Sequence, residues 1–364
     1  MRPTYIEVDL DAIRHNVTVI REAVAPARLC AVVKADGYAH GDVPVAEAAL
    51  DAGADLLAVA LVEEGARLRE AGIDASVLLL SEPFAADVAE VVRWDLVPTA
   101  YRRSFVEVLA GVAPPGYPVH VKVDTGMHRV GAPPDEALEI ARMVAASPLA
   151  LGGVWTHFAV AEEDPEFTGR QLRALREFVD ALEAEGIHPP MVHASNTAAS
   201  LLHPDARIDV VRPGIGIYGL RPAPGLAPEL ELRPAMRVVS QVAYLRRYAA
   251  GTRPSYGRRR PLPVDATVAT VPIGYADGIP RALAARGGSV LIRGTRYPFA
   301  GTVTMDQIVV DVGDDPVEVG DEVVLLGRQG TEEIDAEEWA ERLGTITYEV
   351  VCGFGPRIPR RYLG

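Results

Sequence analysis

Residues 29–41, LCAVVKADGYAHG, decide how the rest of the chain is read. The apolar run 29–33 has the composition of a strand buried on both faces, and it delivers Lys34 where the chain enters a Gly-rich loop holding Asp36, Gly37, Tyr38, His40 and Gly41. A lysine placed so points out of the end of a sheet. Open α/β sheets and α/β barrels put their chemistry there, because the strand fixes the side chain while the loops around it supply contacts.

Working outward, short apolar runs alternate with helix-period segments up to about residue 220. Strands are expected near 29–33, 56–60, 77–80, 96–99, 119–123, 151–156, 191–194 and 208–211. The segments between them, such as EEGARLREAG and GRQLRALREFVDALEAEG, repeat apolar residues at helical spacing and often end at Gly. Strands alternating with helices imply a parallel sheet, and eight such repeats imply an N-terminal (β/α)8 barrel of the TIM type, residues 9–233.

In such a barrel functional residues follow the strands. Lys34 follows the first, Asp124 and Arg129 the fifth, His157 the sixth, Asn196 and Thr197 the seventh, and Arg212 with Gly214 the eighth. Loops after the last two strands often bind phosphate. Here the seventh exit, SNTAAS, offers hydroxyl and amide donors, and the eighth, RPGIGIYG, has glycines that let backbone amides approach an anion. A lysine across the rim from a phosphate cradle points to a phosphorylated cofactor held as a Schiff base, commonly pyridoxal phosphate (PLP).

After Leu220 a Pro-rich bridge leads into alternating segments, including MRVVSQVAYLRRY, ATVATVPIGYADG and GSVLIRGTRYPFAGTVTMDQIVVDVG. They read as a C-terminal mostly-β domain, residues 234–364, with residues 1–8 adding a strand to it and one short helix in EEIDAEEWAERLG. Its polar landmarks are Ser255-Tyr256-Gly257, the GYADG stretch with Tyr275, and TMDQ with Met305.

Composition bounds the alternatives. The 364 residues exceed one ordinary core, and the net charge of −14 argues against a nucleic-acid partner. Two cysteines, Cys30 and Cys352, make neither a disulfide framework nor a Cys-based metal site, so no metal is expected. No N-terminal signal and no apolar run near ~18 residues is present, which makes a cytoplasmic protein without membrane contact the expectation.

With these residues in view, the chain resembles the alanine racemases over nearly its whole length. VVKADGYAHG matches the signature around that family's Schiff-base lysine, and KVDTGMHRVG, WTHF, NTAAS, RPGIGIYG, SYG, GYADG and TMDQ follow in the family's order. The resemblance implies a PLP enzyme that interconverts L- and D-alanine for peptidoglycan and works as a homodimer with active sites shared between subunits. It implies that Lys34 holds PLP and is one base, and that Tyr256 of the other subunit is the second. Arg129, Met305 and Tyr275 would contact substrate. Tyr38, Asn196, Thr197, Gly214 and Ile215 would surround the phosphate. His157 would orient Arg212 against the pyridine nitrogen, and Lys122 matches a position often carbamylated.

Racemisation removes a hydrogen from one face of the α-carbon and returns a proton to the other, which needs two acid/base groups on opposite sides. A tyrosine with its ordinary pKa of ~10 suits this poorly, so positive charge from His157 or a nearby arginine is expected around the Tyr256 hydroxyl. Thr304 and Pro356 replace the family's frequent cysteine and tyrosine, and a serine or broad-specificity racemase is the rival reading. A PLP-dependent decarboxylase would carry a cysteine-acid motif in the second domain, and a PLP-homeostasis protein would be the barrel alone.

Overall fold

The computed structural model describes residues 2–364. The chain forms two compact units, one of residues 13–37 and 41–233, the other of residues 2–12, 38–40 and 234–364.

The first unit is built on eight parallel strands: Arg28–Val32, Leu56–Val59, Val77–Leu79, Thr99–Ala100, Pro118–Lys122, Ala150–Trp155, Val192–His193 and Val210–Val211. Each pairs with its neighbours in sequence except the third and fourth, which end the ladder, and the eighth returns to the first, Leu29 lying opposite Val211. A parallel bridge between Leu78 and Val97 joins the third strand to the approach of the fourth, so the sheet closes into a barrel as its alternating pattern predicts. The strands are short and apolar because both their faces are covered, one by the barrel interior and one by helices. Helix Pro165–Glu183 shows how those helices are specified. The Asp164 side chain caps it by accepting from Phe167 N–H at 2.9 Å, Pro165 opens it, and Leu172, Leu175, Phe178 and Leu182 recur on its buried face.

One polar group enters the barrel at a specific local distortion. Strand register shifts between Val119 and His120, and a Cβ on Gly153 would lie 2.9 Å from the His120 ring and 2.8 Å from Met191 O. The Gly152-Gly153 pair is therefore the space into which His120 packs.

The second unit holds a sheet ordered Thr295–Pro298, Ser289–Ile292, Glu322–Gln329, Met236–Gln241, Tyr5–Asp9 and Arg360–Leu363, with Glu332–Ile334 on a side branch. Tyr5–Asp9 pairs antiparallel with Met236–Gln241 and parallel with Arg360–Leu363. A smaller antiparallel sheet joins Tyr244–Tyr248, Ala266–Val271 and Ile308–Gly313. Helix Ala336–Leu343 stands where EEIDAEEWAERLG predicts it, capped by Asp335 and stopped by Gly344 at φ 71°. It is not alone, which corrects the expectation of a single helix: Thr347–Cys352 forms another. Its TYEVVC sequence is rich in β-formers and only six residues long, too short for helical periodicity to show. Among the described residues, no helix is long and apolar enough to cross a membrane, and no cluster of three or more His, Cys, Asp or Glu is arranged to hold a metal.

Candidate active site

Lys34 is the second residue beyond the first barrel strand. Val33 N–H still donates to Ala58 O at 2.9 Å, and then the backbone reverses hand. Ala35, Asp36, Gly37, Tyr38 and Ala39 all take positive φ, between 52° and 64°. Only Gly37 does so freely, and a left-handed L-residue costs roughly 1–2 kcal/mol. A turn this strained persists only when its surroundings over-determine it.

Those surroundings are the helix Val62–Glu70. Glu64, buried, accepts Ala35 N–H on Oε1 at 2.7 Å, and Ala60 and Leu61 N–H on Oε2 at 2.8 and 3.1 Å. One turn further on, Arg67 donates Nε and Nη2 to the buried carboxylate of Asp42 at 2.9 and 2.6 Å. Gly37 N–H to Val33 O and Gly41 N–H to Asp36 O close the turn from within. A Cβ on Gly37 would lie 3.2 Å from Asp42 N, so glycine also serves close packing there.

Polar residues at the exits of strands five to eight form one network. Arg212 is buried, and Nη1 donates to His193 Nδ1 at 2.7 Å. Nη2 reaches Thr156 O and Ala194 O at 3.0 Å and His157 Nδ1 at 3.3 Å. Guanidinium only donates, so both imidazole Nδ1 atoms are lone-pair acceptors and the neutral rings carry their proton on Nε2. His193 Nε2 then donates onward to His120 Nδ1 at 3.0 Å. Burial, and next the Arg212 charge, pushes His120 down to about 3 and holds His157 and His193 well below the ordinary histidine range. His157 is therefore neutral and does not supply the positive charge expected around Tyr256; that part of the expectation is corrected.

Trp155 lies beneath this network, stacked on His193 at 5.5 Å with the rings 10° apart. Arg212 and Lys122 both stand over its indole, at 4.5 and 4.0 Å from the centroid. Burial lowers the Lys122 ammonium to about 7, helped by Arg212, Arg129 and Lys34 and opposed by Asp124. Burial alone would raise the Asp124 carboxyl, but bonds from Gly126 N–H, His128 N–H and the His128 ring outweigh it and hold the group low.

At the seventh exit the Asn196 side chain caps a short helix by accepting from Ala199 N–H at 3.0 Å. Thr197 Oγ1 accepts from Gly214 N–H at 2.9 Å and Gly216 N–H at 3.5 Å. A Cβ on Gly216 would sit 2.8 Å from Thr197 Cγ2, so the approach requires glycine. With its lone pairs engaged, the Thr197 hydroxyl has its hydrogen left to donate. Ile215 follows Gly214 at the start of the 3-10 turn Ile215–Tyr218, whose Tyr218 Oη donates to Val32 O at 3.0 Å beside Lys34.

The remaining expected residues belong to the second unit. Tyr256 opens a 3-10 turn after Ser255, which has φ 66°. Ser255 Oγ donates to Thr302 O at 2.6 Å and Thr302 Oγ1 to Tyr256 O at 2.8 Å, pinning the backbone while the Tyr256 side chain stands 73% exposed. Tyr275 N–H donates to Thr304 O and Ala276 N–H to Met305 O, which brings Tyr275 and Met305 onto adjacent loops. A Cβ on Gly274 would lie 2.3 Å from Thr304 O, and the buried Asp277 carboxylate holds this corner through Gly274 N–H and a two-point bond from Arg2. Thr304 turns its hydroxyl into its own loop, onto Gln307 O at 2.8 Å. The Tyr38 ring lies 6.1 Å from that of Tyr348.

The structure thus gathers Lys34, Lys122, Arg129, His157 and Arg212 into mutual electrostatic range at one barrel rim, with Asn196, Thr197, Gly214 and Ile215 on the neighbouring exits. Tyr38, Tyr256, Tyr275 and Met305 stand on the other unit. Sequence reading missed Glu64, His120, Trp155 and His193. The available signal was His193 directly after the apolar start of the seventh strand; His120 and Trp155 are hidden inside apolar runs, and Glu64 inside an ordinary acidic first helical turn.

The donor set fits PLP. Lys34, Lys122, Arg129 and Arg212 share the rim with Asp124, whose carboxylate already accepts from Gly126 and His128. The Thr197 hydroxyl has a hydrogen left to donate, which suits a phosphate, and Arg212 Nε donates to none of the described residues, which suits an aromatic nitrogen that accepts.

These features define a class: (β/α)8-barrel enzymes with a reactive lysine at a strand exit and a cationic rim for a phosphorylated cofactor. The family described as alanine racemase, N-terminal domain, matches residues 8–222, and that described as alanine racemase, C-terminal domain, matches residues 235–362. Alanine racemase of Symbiobacterium thermophilum is 45% identical over 370 residues, covering 100% of this chain and 98% of the relative. The crystal structure of alanine racemase from D-cycloserine-producing Streptomyces lavendulae superposes with a TM-score of 0.94 at 37% identity, over 100% of this chain and 98% of that one. The Bacillus anthracis enzyme with bound L-Ala-P gives 0.94 at 37%, over 100% and 96%. The chain belongs to the alanine racemase family, whose members are PLP-dependent isomerases.

Proposed function

We propose that this chain interconverts L- and D-alanine with PLP carried on Lys34, and that Lys34 and Tyr256 handle the proton on opposite sides of the α-carbon. The observation that carries the reading is the placement of Lys34 on a strained and braced backbone turn at the barrel rim that also carries Lys122, Arg129 and Arg212. When bound, PLP supplies the electron sink that acidifies the α-hydrogen.

The chain's own residues divide the remaining work. Lys34, freed by substrate, takes or returns the proton on one face, and the Tyr256 hydroxyl does so on the other. Arg212 would face the ring nitrogen as a donor; its pKa is lowered to about 10, yet it stays cationic at neutral pH and cannot accept, which would favour an unprotonated nitrogen. His193 and His157 orient it. The Thr197 hydroxyl and the Gly214–Ile215 turn, with Asn196, would hold the phosphate, and Tyr38 would be a further donor to it. Arg129, Met305 and Tyr275 hold the substrate carboxylate and methyl group. Lys122, at about 7, has a substantial neutral fraction near neutral pH, and that amine can add CO2 at Nζ with loss of a proton. The carbamate so formed pairs with Arg129.

A second copy of the chain completes the site. Tyr256 and Met305, 73% and 52% exposed, present their side chains to solvent on the β unit. Beside them a cleft of ≈ 280 Å³ is lined by Tyr244, Tyr248, Arg253 and Ser255. The homodimer seats these residues in the partner's rim, and the enzyme works in the cytoplasm.

Exchange of the α-hydrogen in D2O tests the assignment. The parent exchanges both enantiomers, whereas Tyr256→Phe continues to exchange D-alanine through Lys34 and fails with L-alanine. A Tyr256→Phe variant that racemises normally would remove Tyr256 from the mechanism.

A further inference from the structure

The geometry points to Glu64 as a positioning residue for Lys34, acting through the amide of Ala35; this rests on Lys34 being the residue that carries the cofactor. Glu64 is 6% exposed, and three backbone N–H groups converge on its two oxygens. Two of them, from Ala60 and Leu61, belong to the exit of the second barrel strand and the start of helix Val62–Glu70. The third is the amide that follows Lys34. One carboxylate therefore fastens the first residue of the left-handed run to a helix start, at the point where the strand ladder has ended and no neighbouring carbonyl continues it.

Charge and spacing make this a clamp rather than a cap alone. Arg67 lies three residues along the same helix and grips Asp42, just past the turn. The segment from Ala35 to Asp42 is thus held at both ends by side chains i and i+3 of one helix face. Four of its residues, Ala35, Asp36, Tyr38 and Ala39, hold positive φ without being glycine, and the bond from Arg360 Nε to Ala39 O holds the middle of the segment, so releasing the Ala35 end loosens chiefly the backbone next to Lys34. A helix cap needs only the Ala60 and Leu61 bonds; the bond to Ala35 is the one that bears on Lys34.

Glu64→Gln separates the two roles. An amide offers one acceptor oxygen, so it can serve the Ala60 and Leu61 pair or Ala35, and its NH2 group confronts whichever donor is left. The pair wins two bonds to one, and the Lys34 turn is released. Borohydride reduction of holoenzyme followed by peptide mapping identifies the cofactor-bearing lysine in parent and variant. Amide hydrogen exchange across residues 35–41, the thermal midpoint of the apoprotein, and kcat and KM for alanine complete the measurement, with Glu63→Gln, an exposed neighbour, as control.

The expected result is cofactor on Lys34 in both proteins, faster exchange across residues 35–41, and kcat lower on the order of 10²-fold with KM little changed, as for a reacting group displaced by about 1 Å. A variant with a lowered thermal midpoint but kcat within two-fold of the parent would make Glu64 a helix cap only and overturn the proposal. If Glu64→Gln does not fold, Arg67→Met, at a half-exposed side chain, opens the other end of the clamp. It should raise exchange across the same residues and lower kcat several-fold; unchanged exchange and kcat would refute the clamp. Mapping of the cofactor to another lysine in the parent would fell the Lys34 assignment itself, a result distinct from an intact assignment with an indifferent Glu64.

Discussion

Lys34 and Tyr256, the two groups proposed to handle the proton, stand in contrasting surroundings. Lys34 follows a barrel strand, the amide after it is bonded by Glu64, and it lies in electrostatic range of Lys122 and His157, which belong with Arg212 and His193 to one network, all within one unit of one chain. Tyr256 has a pinned backbone and a side chain open to water. The difference teaches that the barrel unit holds its polar residues in a preformed hydrogen-bonded network, whereas the β unit presents Tyr256 on a fixed backbone with its side chain exposed. Preorganised charge is where barrel enzymes place most of their catalytic power, and here it is concentrated on the lysine side.

The contrast can be broken most severely at Lys34. Lys34→Ala should lose racemisation in both directions by on the order of 10³-fold or more, since it removes the attachment point as well as one acid/base group. Steady-state rates from L- and D-alanine check this, and the apoprotein should unfold at a similar temperature because Lys34 packs no core. A variant that keeps activity in one direction would show that the rim works without its lysine.

A smaller effect sharpens the claim that the barrel's polarity is built in. His120, His157 and His193 are held neutral below their ordinary pKa by burial and then by Arg212. Below about pH 6.5 the unfolded chain takes up protons that the folded barrel refuses, so stability is complete above that pH and falls as pH drops towards the depressed values. Each histidine contributes a slope of about 1.4 kcal/mol per pH unit. Denaturant unfolding between pH 7 and 4 should show this decline, and His120→Gln should make it shallower by one proton. A stability flat across that range would mean the histidines are solvated.

Much of this was legible in the sequence, and the reasons differ by region. The eight barrel strands could be placed within a few residues because a parallel sheet covered on both faces demands uninterrupted apolar runs such as residues 29–33. Lys34, Arg129, His157, Thr197 and Arg212 were visible because a polar residue just after such a run stands out. The left-handed run was not: KADGYAHG shows its glycines but cannot show that Ala35, Asp36, Tyr38 and Ala39 adopt the same hand, which depends on Glu64 about thirty positions away. His120 looked like part of a strand because its inward orientation depends on the Gly152-Gly153 pair of the next strand. Thr347–Cys352 escaped because six residues with β-propensity give no helical period. Contacts made at long range, rather than local propensity, account for each omission.

The most direct test of the central claim is subunit complementation between two inactive variants. Lys34→Ala and Tyr256→Phe protomers are mixed, exchanged through reversible dissociation, and assayed for racemisation. If each site unites Lys34 of one copy with Tyr256 of another, half of the dimers are hybrids with one intact site of two, and activity recovers to about a quarter of the parent's. If Lys34 and Tyr256 of the same chain serve one site, every hybrid site lacks a group and no activity returns, which would contradict the account.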